Sequence, residues 1–385
     1  MLKKLNLENN SFNRLFLFGF TLVVLMVSIL TPPFQSPDEP VHLSRAYSIA
    51  TGQILLKNGN VNIDKNLVHF KNLNENIRFH YDQKRTIEQE KTLKSFKWSN
   101  ENMSEGIAGS SVYLPILYIP QGIGLIIGKY MDLSIYNSYQ LAKIFSIISC
   151  IYIIYLSSKI YPISPVGYLL ISMPMSLFQF SSSSPDALSF AVSLLIGSML
   201  ARLLTNKEKK IEVNYSLIYV LLCLVISLVT IRINMLPIFI LLIFIFITIR
   251  SKKALIMLAI SLLISLTWVA IAYKYVMIDG NGLGNFNQGG MTATDKLIYF
   301  YENKSVLINF FLNTFLNREE MIWVYTHFIG VLGWSDTHLS SWQYYFLSLF
   351  IVFISLVTLK INQCCKDIIP FITLLLVILF TFFIL

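Results

Sequence analysis

The sequence predicts an all-α, polytopic membrane protein of about nine spanning helices. Composition and periodicity both lead there. Hydrophobic residues fill 55% of the 385 positions and charged residues only 13%, about half the charged share of a soluble domain. Mean hydropathy is +0.62. Apolar runs near the spanning length of about 20 residues recur along the chain, at 15–31, 138–158, 164–181, 186–204, 214–231, 233–249, 254–273, 341–359 and 367–385. No soluble segment flanks them and no internal repeat is visible, so residues 1–385 read as a single transmembrane domain.

The first run follows Lys3, Lys4 and Arg14 and lacks a small-residue cleavage site, so it reads as a retained anchor. Stretch 113–130 is also apolar, but Pro115, Pro120, Gly122 and Gly124 break it. Charge decides its placement. The short basic clusters are Lys3/Lys4, Arg202–Lys210, Arg250–Lys253 and Lys360–Lys366. All four fall on one side only if 113–130 lies at the interface instead of crossing. The positive-inside rule then puts them, and the N-terminus, in the cytoplasm. Two large extracytoplasmic loops result, 32–137 with juxtamembrane helices and 274–340. The last run reaches Leu385 without a tail, which reads as an end inside the bilayer or a shortened chain.

The net charge of +9 is on this reading an orientation signal, with no nucleic-acid partner implied. Cys150, Cys223, Cys364 and Cys365 all fall outside the two loops and lack metal-ligand spacing with His, which excludes a disulfide framework or a zinc site. Richness in Ile, Asn, Lys and Phe suggests an AT-rich bacterial genome, hence a bacterial plasma (inner) membrane.

Few ionisable residues remain that could carry chemistry. Ser36-Pro37-Asp38-Glu39-Pro40-Val41-His42 follows the first span. It places two acids and a histidine at the surface, and the flanking prolines favour a fixed shape. Ser181-Ser182-Ser183-Ser184-Pro185-Asp186 opens a later span on the same side. Ser184 and Asp186 suit a helix cap there, with Pro185 at the first helical position. Arg232 lies between two spans at their outer ends, where a snorkelling side chain and a phosphate ligand are both open readings. Lys143 reads similarly. Gly333-Trp334-Ser335-Asp336-Thr337 adds Asp336 beside an interfacial tryptophan. The topology gathers Asp38, Glu39, Asp186, Arg232 and Asp336 on one face. Acids there can hold or remove a proton, and cations can neutralise a departing phosphate.

In order along the chain stand Ser-Pro-Asp-Glu-Pro-Val-His-Leu-Ser-Arg-Ala-Tyr at 36–47, Ala50-Thr51-Gly52-Gln53, Tyr113-Leu114-Pro115 with Gly124 and Gly128, Leu141-Ala142-Lys143, Ser184-Pro185-Asp186, Thr230-Ile231-Arg232 and Gly333-Trp334-Ser335-Asp336. This series resembles membrane glycosyltransferases of the C-type fold (the GT-C superfamily). It is most similar to the bacterial domain-of-unknown-function 2142 family of predicted membrane proteins. The resemblance implies a catalytic centre of Asp38 or Glu39 with Asp186, and Arg232 on the donor phosphate. Lys143 stands where relatives often carry Arg, and 113–130 matches a juxtamembrane segment. Relatives with a phosphate-binding Lys just before the proline of that segment differ from this chain, which has Val112, Tyr113 and Leu114 there.

The expected function is transfer of a sugar from a polyprenyl-phosphate donor to an extracytoplasmic glycan, teichoic acid, lipid or protein acceptor. Asp38 acts as general base, with Glu39 orienting it or exchanging roles. Asp186 holds the acceptor or a metal. Arg232 and Lys143 meet the phosphate, and His42, Arg45, Asp336 and Trp334 complete the substrate-binding set. A single displacement inverts the anomeric carbon. Asp38, Glu39 and Asp186 form an oxygen-rich set that could hold Mg²⁺ or Mn²⁺, although the resemblance covers enzymes without a metal. The rivals are a flippase for lipid-linked sugars, a polysaccharide polymerase or ligase, and a membrane scaffold.

Overall fold

The computed structural model describes residues 2–73, 77–78, 80, 82–278 and 293–361. Helix α1 (Leu2–Leu30) is the expected anchor. The segment after it folds as a small layer with a core of its own. Its elements are α2 (Glu39–Ala50), β1 (Asn60–Asp64), α3 (Lys65–Asn72), α4 (Ile87–Ser95), β2 (Asn102–Gly106), α5 (Ala108–Ser111) and α6 (Ile119–Tyr130). Strands β1 and β2 pair antiparallel, with Asn60 opposite Gly106 and Asp64 opposite Asn102. Phe34, Leu43, Ile63, Leu67, Phe70 and Tyr118 fill the core beneath them. Buried Asp64 closes this layer. Its carboxylate caps α3 through Asn66 N at 3.0 Å and accepts from Ser99 Oγ at 2.9 Å and Asn100 N at 3.0 Å.

Helix α6 has 12 residues, about 18 Å of rise, too short to cross a hydrocarbon layer of about 30 Å. Among the described residues, no helix within stretch 113–130 is long enough to cross it alone. Helix α6 lies on α7 (Ile135–Ile160). Gly124 and Gly128 form the contact: a Cβ at Gly124 would come within 2.5 Å of the Ala142 backbone nitrogen, and one at Gly128 would collide with Ser138. Glycines four apart let helices touch backbone to backbone. Gly124→Ala is expected to cost about 1–3 kcal/mol through overpacking, read as a lower melting temperature in detergent. Gly197→Ala, with nothing within 4 Å, should leave it unchanged.

The rest of the bundle comprises α8 (Pro165–Ile171), α9 (Pro174–Phe180), α10 (Pro185–Glu208), α11 (Tyr215–Ile231), α12 (Ile238–Thr248) and α13 (Lys252–Tyr273). Leu195, Met199, Ile218, Leu221, Val225 and Leu242 pack its core. Then come α14 (Ala293–Glu302), α15 (Lys304–Leu316), α16 (Arg318–Gly330), the two-residue strands β3 (Val331–Leu332) and β4 (Thr337–His338), and α17 (Ser341–Ile361).

Among the described residues, four helices are long and apolar enough to cross a membrane: Asn13–Leu30, Ile135–Ile160, Pro185–Glu208 and Lys252–Val276. Three of the expected spans are shorter apolar helices, Tyr215–Ile231, Ile233–Thr248 and Ser341–Leu356. The expected continuous span at 164–181 is corrected: it is two seven-residue helices, α8 and α9. Pro174 explains the break, because proline drives its predecessor out of the helical region and Met173 is extended at ψ 147. The pair still runs beside α1, with Tyr168 hydrogen-bonded to Asn13 and Phe180 against Phe20. The expected span 367–385 and most of the Lys360–Lys366 cluster lie outside the described residues.

The two ends of the bundle differ in chemistry. Lys207, Lys210, Glu212, Asn214 and Ile249 help line one cavity where the α10–α11 turn meets the end of α12, and with Lys252 and Lys253 at the start of α13 the lysines outnumber the acid at this basic end. Asp186 begins α10 at the opposite end, the loop end, beside α2.

Candidate active site

Asp38 and Glu39 are neighbours with opposite environments. Asp38 precedes α2 in the left-handed region, φ 58, which Asp tolerates better than most residues. Its backbone carbonyl accepts from His42 N at 3.0 Å, but its side chain does not cap the helix. Asp38 is exposed, and among the described residues its carboxylate has no hydrogen-bond or ion-pair partner.

Glu39 turns inward and is 2% exposed. Its Oε1 accepts from Tyr139 Oη at 2.8 Å, from Ser183 N at 2.9 Å and from Ser183 Oγ at 3.0 Å. One buried carboxylate thus ties α2 to α7 and to the serine run before α10. The other serines have local partners: Ser181 and Ser182 donate to the Phe178 and Gln179 carbonyls, and Ser184 Oγ accepts from Asp186 N at 3.2 Å as the cap of α10. Ser36 reaches Gln179 at 3.3 Å. Glu39, Tyr139, Lys143 and Ser182 border a cavity of about 10 Å³, room for about one water. Lys143, in α7, donates to the Ser28 carbonyl at 2.7 Å and so satisfies an orphan acceptor at the end of α1. Its ammonium stands 5.3 Å from the Tyr139 ring centre.

Arg232 and Asp186 form an ion pair, each side chain 30% exposed. They join the end of α11 to the start of α10 beside α2. The charge of Arg232 reaches His42 and Tyr118, and that of Asp38 reaches Tyr118. His42 Nδ1 and Tyr118 Oη share a 2.8 Å hydrogen bond. Burial first, and Arg232 second, push the His42 pKa down to about 3, so the ring is neutral near pH 7. Burial holds the Tyr118 phenol well above its usual value. The segment before it is fixed at three backbone groups: Val112 O accepts from Trp268 Nε1 at 3.1 Å, Tyr113 O from Arg45 at 2.8 Å, and Leu114 N donates to Thr230 O at 3.3 Å.

The structure thus brings Asp38, Glu39, His42, Asp186 and Arg232 to one end of the bundle, with Lys143 below them. It gives three expected site residues other surroundings. Arg45 is wholly buried and also holds Ile54 O at 2.9 Å. Burial lowers its pKa to about 10, which leaves it charged near neutrality as a clasp between backbone segments. Trp334 Nε1 donates to Phe34 O at 2.9 Å, and Arg78 sits 4.6 Å over its ring, so the β3–β4 turn is pinned to the turn after α1. Asp336 accepts from Thr337 Oγ1 at 3.2 Å within that turn.

A metal held by Asp38, Glu39 and Asp186 does not match this arrangement. Glu39 Oε1 already accepts three hydrogen bonds and Asp186 is paired with Arg232, and among the described residues no three His, Cys, Asp or Glu side chains gather as a ligand set. Tyr118, Tyr139 and Ser183 were absent from the expected set. Tyr139 stands four residues before Lys143, hence on the same helix face, which was the available signal.

The family model for predicted membrane proteins named DUF2142 matches residues 20–385. The chain belongs to the DUF2142 family. No curated protein and no solved structure matches it. In this DUF2142 chain the matched region contains every candidate site residue, from Asp38 through Asp336.

Proposed function

We propose that this DUF2142 protein is an integral membrane glycosyltransferase of the bacterial plasma membrane. It moves a sugar from a polyprenyl-phosphate carrier to an acceptor on the extracytoplasmic side, which is the loop end. The observation that carries the reading is Asp38: an exposed carboxylate on a fixed turn, without a hydrogen-bond or ion-pair partner among the described residues, at the end of the bundle where Arg232 pairs with Asp186. The resemblance of 36–47 and its companion motifs to C-type-fold transferases supports the same chemistry.

The residues take these roles. Asp38 accepts the proton of the acceptor hydroxyl as its oxygen bonds to the anomeric carbon. The bond from that carbon to the carrier's phosphate oxygen breaks, and polyprenyl phosphate leaves with the electron pair. Attack opposite the leaving group inverts the centre. Arg232 offers five donors, so it can face the phosphate while Asp186 holds its other edge. Asp186 is then a positioning residue. Glu39 and Lys143 hold the floor of the site, and His42 with Tyr118 forms a neutral wall.

Arg232→Ala is expected to lower kcat/KM about 10²- to 10³-fold, the range for removing one preorganised donor from a developing charge. Arg232→Lys should recover part of it. The reading itself is tested by reconstituting the full chain in sealed vesicles with radiolabelled polyprenyl-phosphate sugars and envelope acceptors. Transfer of single sugars supports it. Long-chain products indicate a polymerase, and donor movement between leaflets without transfer indicates a flippase.

A further inference from the structure

A second site lies at the same end of the molecule, away from Asp38. A groove of about 650 Å³ opens between the loop after α2 and the last turns of α13. Its apolar side carries Ile54, Leu55 and Trp268, and its polar side Lys57, Asn60 and Asn62. Ile54 and Leu55 are 54% and 47% exposed. The rim is rigid. Gln53 exchanges two 2.8 Å hydrogen bonds with the Asn62 backbone, and Arg45 holds the Ile54 carbonyl. No acid lines the groove among the described residues, and the Lys57 side chain is exposed.

Its depth follows from α13. Lys252 and Lys253 begin that helix at the basic end. Sixteen residues separate Lys252 from Trp268, about 24 Å of rise against a hydrocarbon layer of about 30 Å. Trp268 therefore stands near the boundary of the opposite leaflet, where tryptophan is favoured. The same helix exposes Leu263, Ile264, Leu266 and Ile271, so the apolar wall continues into the lipid-facing flank. An apolar wall entering the bilayer, opposite a wall with one cation and two amides, fits an amphiphile with an anionic, hydroxyl-bearing headgroup.

We propose that this groove binds the headgroup of an anionic phospholipid in the leaflet at the loop end, with Lys57 on the phosphate. The proposal goes beyond the transferase reading and stands whether or not sugar transfer is found. The test delipidates the purified full chain and titrates it with phosphatidylglycerol or phosphatidylcholine, counting bound copies by native mass spectrometry. Wild type should hold one phosphatidylglycerol about fivefold more tightly than phosphatidylcholine, the increment of one basic residue at an anionic surface. Lys57→Gln should lose that preference. Lys207→Gln with Lys210→Gln, at the basic end, should keep it. Ile54→Ser with Leu55→Ser should weaken both lipids. Equal binding of the two lipids by wild type, an unchanged tight copy in Lys57→Gln, or displacement by water-soluble glycerol phosphate would each overturn the proposal.

Discussion

Glu39→Ala is expected to destabilise the protein by about 3 kcal/mol or more, since it removes a buried anionic acceptor and orphans its donors. Tyr139 Oη, Ser183 N and Ser183 Oγ all point at the same oxygen. Alanine leaves the Tyr139 hydroxyl and the Ser183 amide buried without that partner. It also leaves Lys143 beside a tyrosine with no anion on the other side. The loss falls at the junction of α2, α7 and the start of α10, so the loop layer should loosen from the bundle before the bundle itself melts. Thermal unfolding in detergent, with limited proteolysis of segment 39–130, measures both. Glu39→Gln keeps an acceptor oxygen but not the charge, and should fall between wild type and alanine.

The second large effect is Asp38→Asn. Asparagine matches aspartate in size and tolerates the left-handed conformation, so the backbone at φ 58 has no reason to move. Among the described residues no ion pair or hydrogen bond of the side chain is lost, and the variant should insert and melt like wild type. It removes only the negative charge and the basic oxygen. A general base contributes about 10²- to 10⁴-fold, and the loss of transfer should lie in that range. The contrast between the two acids is the informative part. Substitution of Glu39 should act first on stability, and substitution of Asp38 on transfer alone.

Much of this arrangement was legible in the sequence because it rests on local rules. The prolines around Asp38-Glu39, the four serines before Pro185 and the isolated Arg232 each mark a helix end. The distribution of Lys and Arg then assigned these ends to one face. The same charge pattern set 113–130 apart from the spans, and its helix α6 has only 12 residues. What stayed hidden depends on distant partners. Glu39 meets Tyr139 across 100 positions and Ser183 across 144, so the sequence could not tell which of two adjacent acids faces inward. Arg45 resembled a ligand for substrate because the carbonyls that occupy it, Ile54 and Tyr113, converge only in three dimensions. Strand β2, Asn-Met-Ser-Glu-Gly, lacks apolar alternation and forms because β1 offers it a partner. The break at Met173 was visible as Pro174, but hydropathy averaged across 164–181 concealed it.

The central claim is that Asp38 is the base of a transfer centre at the membrane surface. The most direct measurement is the release of polyprenyl phosphate from a polyprenyl-phosphate sugar by vesicles holding equal amounts of wild type and Asp38→Asn, with acceptor supplied only on the Asp38 side. Wild type should release polyprenyl phosphate only when acceptor is present, and Asp38→Asn about 10²-fold less or lower. Equal release by the two proteins would contradict that role for Asp38.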